Sequence, residues 1–204
     1  MPFSTDTEIA AGARCHADAV ALIARGVREV PLYRWLLGDG DRDDREVLWV
    51  ELLLAAHGGD GARGFYDQTG SLRGVALFAA PGRTPPTYAD TLRDRTRAMV
   101  HEVPGFLERY REMSTAEARY QPSSSPLDIV FAAVDASSRG CGMLAELVDP
   151  LVEAADRAGV PVLARASDSA LAATYERRWG TTPRGCYRVT GGPVVWILQR
   201  DPIS

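Results

Sequence analysis

The sequence has no lysine and no asparagine; all 23 residues counted as Lys+Arg are arginines. Both missing residues are encoded by A-rich codons, so their absence reads as a GC-rich coding bias. An Arg or Asp in this chain can therefore stand where another protein uses Lys or Asn. Cysteine is also scarce: Cys15, Cys141 and Cys186 are widely spaced and form neither a CxxC pair nor a Cys/His cluster. That excludes a disulfide framework and a zinc site, and it fits a reducing cytoplasm. Long apolar runs are missing too. The longest, around Val47 to Ala56, is broken by Glu51 and is too short to span a bilayer. The segment Met1 to Asp6 has no charged n-region and no apolar h-region, so no secretion signal is expected there. A net charge of −4, with both signs mixed along the chain and no basic stripe, argues against nucleic acid as a partner.

What is present describes a soluble globular protein. With 204 residues, 46% of them hydrophobic and 25% charged, a single domain over 1–204 is expected. A chain of this size buries roughly 70% of its unfolded surface and needs no covalent staple. The first half reads as helices around a hairpin. Val20, Ile23, Val27 and Val30 form an amphipathic stripe that Pro31 stops, and Pro31 to Leu37 forms a short second helix closed by Gly38. Asp43 or Asp44 opens a helix to His57, ended by Gly58-Gly59. Strands are expected at Gly64 to Gln68 and Leu72 to Ala79, turned by Thr69-Gly70. Pro81 to Pro86 reads as a loop, and Tyr88 to Val100 and Phe106 to Ala118 as helices.

The second half carries the chemistry. Ile129 to Val134 is an unbroken apolar run, expected to be a central strand buried on both faces. A polar loop from Asp135 to Gly142 follows, then a helix with Leu144, Leu147, Val148 and Leu151 on one stripe. Gly159 ends that helix, and Val160 to Ala164 should lie parallel to the first strand through a right-handed crossover. A helix over Ser169 to Arg178 and a hairpin of Pro183 to Thr190 with Val194 to Gln199 complete the chain. Two glycines beside Arg139, at a helix N-terminus, form an anion cradle of free N–H groups. The loop therefore predicts a phosphate-bearing ligand, against the alternative of a plain glycine-rich turn. Gly140 to Ala145 also matches the dinucleotide fingerprint G-x-G-x-x-G/A. Five residues separate its first Gly from the strand, however, and too little chain follows for a dinucleotide fold.

The run Phe131 to Leu151 resembles the acetyl-CoA site of the GNAT N-acetyltransferases. Their pattern is a strand ending in Ala-Val-Asp, then Gln/Arg-x-x-Gly-x-Gly/Ala opening a helix, and Arg139, Gly140, Cys141, Gly142 and Met143 fall in register. Thr174 to Gly180 is similar to the family's Phe-Tyr-x-Arg-x-Gly-Phe helix. Leu144 stands where the family has a small residue, Asp168 where it often has Asn, and Thr174 where it has Phe. The resemblance implies an α/β (α+β) fold with a central mixed, mostly antiparallel sheet flanked by helices. It implies acetyl-CoA as co-substrate, no metal, and acetyl transfer to a small-molecule amine by direct attack on the thioester. Ala132, Ala133 and Val134 would flank the pantetheine arm where two strands splay, with an N–H near Val134 holding the oxyanion. Arg139, Gly140, Cys141, Gly142, Met143, Leu144 and Asp168 would line the coenzyme site, and Tyr175 would be the general acid. Cys141 is not expected to be a nucleophile. Tyr33, Trp35 and Asp128 would contact the acceptor, with Arg34, Tyr187 and the helices from Tyr88 to Tyr120 nearby. The general base stays open among Asp128, His101, Glu102, Glu117 and water. A cytoplasmic bacterial enzyme, monomer or homodimer, is expected. A non-catalytic acyl-CoA sensor, and a GNAT-fold enzyme with another acyl donor or a decarboxylation, are the alternatives.

Overall fold

The computed structural model describes residues 13–38, 43–57, 61–82 and 90–203. The readings at Met1 to Asp6, Gly58-Gly59, Arg83 to Pro86 and Tyr88, and the Cys15 side chain, lie outside the described residues.

Helix α1 (Ala13–Glu29) buries Ile23 and Val27 of the expected stripe together with Ala19 and Leu22, while Val20 and Val30 are half-buried, so the buried face is turned from the one expected. Pro31 ends α1 and also opens α2 (Pro31–Leu37): Val30 is extended (φ −79°, ψ 116°), and Pro31 occupies the first helical turn, where a missing N–H costs nothing. Helix α3 (Asp43–His57) follows, then strands β1 (Ala62–Tyr66) and β2 (Leu72–Ala79). The first strand begins and ends two residues earlier than the sequence suggested. Asp67 is the reason. Its carboxylate accepts the Thr69 and Ser71 amides and the Thr69 hydroxyl, which draws Asp67 into the turn, while Gly70 adopts φ +76°. These contacts and the Arg73 guanidinium hold the Asp67 carboxyl well below the usual carboxylate range.

Helices α4 (Asp90–Glu102) and α5 (Phe106–Ala118) precede β3 (Leu127–Val134). Then come a 3₁₀ turn (Ala136–Ser138), α6 (Met143–Ala158), β4 (Val162–Ala166), α7 (Ser169–Trp179), and the hairpin β5 (Thr182–Arg188) with β6 (Val194–Arg200). The six strands order β1-β2-β3-β4-β6-β5. Only β3 and β4 run parallel, joined through α6, so the sheet is mixed and mostly antiparallel as expected. Helix α6 buries Leu147, Val148, Leu151 and Val152 against β3, β4 and α7. It accommodates Pro150 in its interior, at the loss of one rung of its hydrogen-bond ladder. Helix α1 crosses the opposite face of β3 at Gly26, where a Cβ would lie 3.0 Å from the Phe131 ring and 3.1 Å from Ala133 Cβ. Among the described residues, no helix is long and apolar enough to cross a membrane.

Candidate functional site

The site begins with a change of phase in β3. The Leu127 amide donates to Pro161 O, on the β4 side, at 2.9 Å. Alternation along a strand would then send every odd-numbered amide toward β4. Yet the Asp135 amide donates the other way, to Arg73 O beside β2, at 2.8 Å. The register explains this: Ile129 faces Phe78 while Phe131 faces Leu77, so Val130 is an extra residue, a β-bulge. Beyond it Phe131 and Ala133 pack in the core under α1, and the amides of Ala132 and Val134 point away from β2. Pairing with β4 has by then ended, at Ile129↔Ala164, while β4 continues to Ala166 alongside β6 alone. The two parallel strands have splayed, leaving a gap lined by unpaired β3 backbone. The expectation of a strand buried on both faces is corrected here. Val130, Ala132 and Val134 are half-buried because they border this gap.

The loop after β3 is held open toward the gap. Asp135 accepts the Ser137 amide and hydroxyl, and these bonds, aided by Arg25 and Arg73, depress its pKa. Gly140 and Gly142 take φ +78° and +84°, which side-chain-bearing residues resist, and no atom lies within 4 Å of where their Cβ atoms would be. In the first turn of α6, Ala145 and Glu146 donate to Gly142 O. Among the described residues, the amides of Gly140, Cys141, Gly142, Met143 and Leu144 have no backbone acceptor. That row of free donors at the positive end of a 16-residue helix suits a phosphate or diphosphate.

Gap and loop open into one cavity of about 830 Å³. The structure brings Ala132, Ala133, Val134, Arg139, Gly140, Gly142, Met143 and Leu144 to its wall, with Asp168 and Tyr175 opposite on α7. Arg139 is engaged within the protein: its Nε donates to Val134 O at 3.1 Å, and Nη2 pairs with Glu29 at 2.7 Å. Asp168 caps α7, accepting the Ala170 and Leu171 amides. Leu144 is half-buried, packed on the apolar cluster beneath α6 and α7. Tyr175 is buried against Trp179, ring centroids 4.9 Å apart, and burial pushes its phenol up to about 12. Cys141 is exposed and does not line the cavity.

The acceptor-side expectations divide. Tyr33 and Asp128 line the cavity. Trp35 does not; its indole N–H donates to Thr190 O and fastens α2 to the last hairpin. Arg34, His101 and Glu102 are exposed and away from it. Sequence reasoning passed over Arg165, which projects from β4 where the strands part. Its Nε donates to Glu117 at 3.0 Å and its Nη1 to Asp128. Glu117 also accepts the Tyr187 hydroxyl at 2.9 Å. Burial opposes the Arg165 charge, but Asp128 and Glu117 more than offset it and raise its pKa. Burial and Glu117 likewise raise that of Tyr187. Trp49, Tyr110 and Met113 complete this end. One signal was available: Arg165 is the sole charge in the buried strand Val162–Ala166.

No protein-family profile and no curated protein matches the chain. Solved structures do match its fold. A histone acetyltransferase HPA2 and related acetyltransferase from Corynebacterium glutamicum is 18% identical with a TM-score of 0.70, over 95% of this chain and 94% of that one. Arylalkylamine N-acetyltransferase 2 from Aedes aegypti is 15% identical with a TM-score of 0.59, over 98% of both chains. A structure described as GnaT-family acetyltransferase, from Bordetella pertussis, is 20% identical with a TM-score of 0.51, over 97% of both. The chain has the GNAT acetyltransferase fold.

Proposed function

We propose that this protein is an N-acetyltransferase that moves the acetyl group of acetyl-CoA onto a small-molecule amine by direct attack on the thioester. One observation carries the reading: a splayed strand pair with unpaired β3 amides and a helix N-terminus with free donors open into the same cavity. The amides from Gly140 to Leu144 receive the diphosphate. The pantetheine arm lies along β3 as an added strand, on the N–H groups of Ala132 and Val134. One of those N–H groups also suits the thioester oxygen as negative charge gathers there. The neutral amine forms the C–N bond, the C–S bond breaks, and the amine proton passes to a carboxylate or to water. Tyr175, which burial keeps protonated at neutral pH, donates its proton to the departing thiolate and is reprotonated from solvent. A similar fold in a named arylalkylamine N-acetyltransferase supports an amine acceptor.

Thermal shifts with coenzyme A, acetyl-CoA and NADP, beside an amine panel with acetyl-CoA, test this. A ligand at about 100 times its dissociation constant adds about 2.7 kcal/mol of stability. Coenzyme A and acetyl-CoA should raise the melting temperature and NADP should not, and at least one amine should be acetylated. Binding with no acceptor in the panel would favour the acyl-CoA sensor; no shift with either coenzyme A or acetyl-CoA would defeat both readings.

A further inference from the structure

The end of the cavity farther from the α6 N-terminus is walled by aromatic rings. Tyr33 lies 6.0 Å from Trp49 and 5.8 Å from Phe131, and Trp49 lies 6.4 Å from Tyr110, centroid to centroid. Beside these rings stand two carboxylates, Glu117 and Asp128, against one guanidinium, Arg165. The cluster therefore has an excess negative charge, and Arg165 is already engaged with both carboxylates. It cannot offer a free fork to a substrate carboxylate, and a second anion would meet uncompensated repulsion. A cation beside those carboxylates and an apolar ring on that wall are what this end complements.

Resting on the proposed acyl transfer, we infer that the acceptor is a primary arylalkylamine without a carboxylate, its amine against the Glu117–Asp128 pair and its ring on Tyr33 and Trp49. One of the two carboxylates takes the proton that the ammonium sheds before attack.

The experiment compares kcat/KM for tyramine, phenethylamine, tyrosine and spermidine with acetyl-CoA as donor. Tyramine and phenethylamine should both be acetylated, and tyrosine and spermidine should lie at least about 10²-fold lower, because tyrosine brings a carboxylate against Glu117 and Asp128 and spermidine brings no ring for Tyr33 and Trp49. Glu117→Gln should raise the KM for tyramine about tenfold, with the acetyl-CoA thermal shift kept as proof of folding. Tyrosine or spermidine used as well as tyramine would overturn the inference, as would a wider panel in which only other amines react; in both cases acyl transfer stands. An acetyl-CoA that leaves the melting temperature unmoved would instead remove the reading beneath it.

Discussion

A single hydroxyl decides whether Tyr175 is catalyst or core. The ring is buried among Ala172, Trp179 and the apolar residues of α6, as any structural tyrosine would be. Its oxygen, however, makes no hydrogen bond within the described residues, and the residue lines the cavity. Replacing Tyr175 by Phe keeps the ring and removes only the oxygen, so stability should change by less than about 1 kcal/mol. If the phenol protonates the departing thiolate, kcat should fall about 10²-fold with the KM for acetyl-CoA unchanged. Steady-state kinetics together with a melting curve separate the two roles, and an unchanged kcat would return Tyr175 to the core. Arg165 makes the complementary point. It carries no chemistry itself, yet it holds Glu117 and Asp128 together in a half-buried place where two unpaired carboxylates would repel.

At the level of elements, the proposed donor site depends on how β3 ends and α6 begins. Gly142 is the N-cap of α6 at φ +84°, with open space where a Cβ would go. Gly142→Ala should therefore cost about 1–2 kcal/mol through backbone strain alone and leave acetyl-CoA binding measurable. Gly142→Asp adds a negative charge among the free amides and should abolish binding in the same thermal-shift assay; retained affinity would place the diphosphate elsewhere. This junction was legible in the sequence because its determinants are local: an apolar run, an Asp that can cap, an Arg, and two glycines two residues apart. The bulge at Val130 was not. Ile129 to Val134 is uniformly apolar, so a one-residue slip leaves no trace in the pattern, although it decides which amides reach the gap. The Arg165 cluster was hidden for another reason. Its members come from α5, β3, β4 and β5, and no spacing along the chain joins Glu117, Asp128, Arg165 and Tyr187. Trp35 misled in the opposite sense, since an aromatic near a pocket and an aromatic pinning a hairpin read alike until Thr190 is seen beside it.

Over the whole molecule, the missing lysines open a window that most proteins close. Lysine side chains ordinarily titrate near 10.4, together with tyrosines, and obscure them. Here the cations are all arginines, which stay charged throughout that range. Burial pushes Tyr33 and Tyr175 up to about 12, and burial with Glu117 raises Tyr187 further. In the unfolded chain each would ionise near 10. Between about pH 10 and 12 the unfolded state therefore binds fewer protons than the native state, and stability falls as pH rises. Below pH 10 these groups are protonated in both states and contribute no slope. Each two-unit shift corresponds to roughly 2–3 kcal/mol, which for Tyr33 and Tyr175 together is a large part of an ordinary domain's margin. Urea unfolding midpoints should thus hold steady from pH 8 to 9.5 and drop steeply above 10, while tyrosinate absorbance of the folded protein lags behind that of the unfolded chain. A flat midpoint from pH 10 to 12 would mean that these phenols are as well solvated in the folded protein as in the unfolded chain, and that burial does not hold their protons.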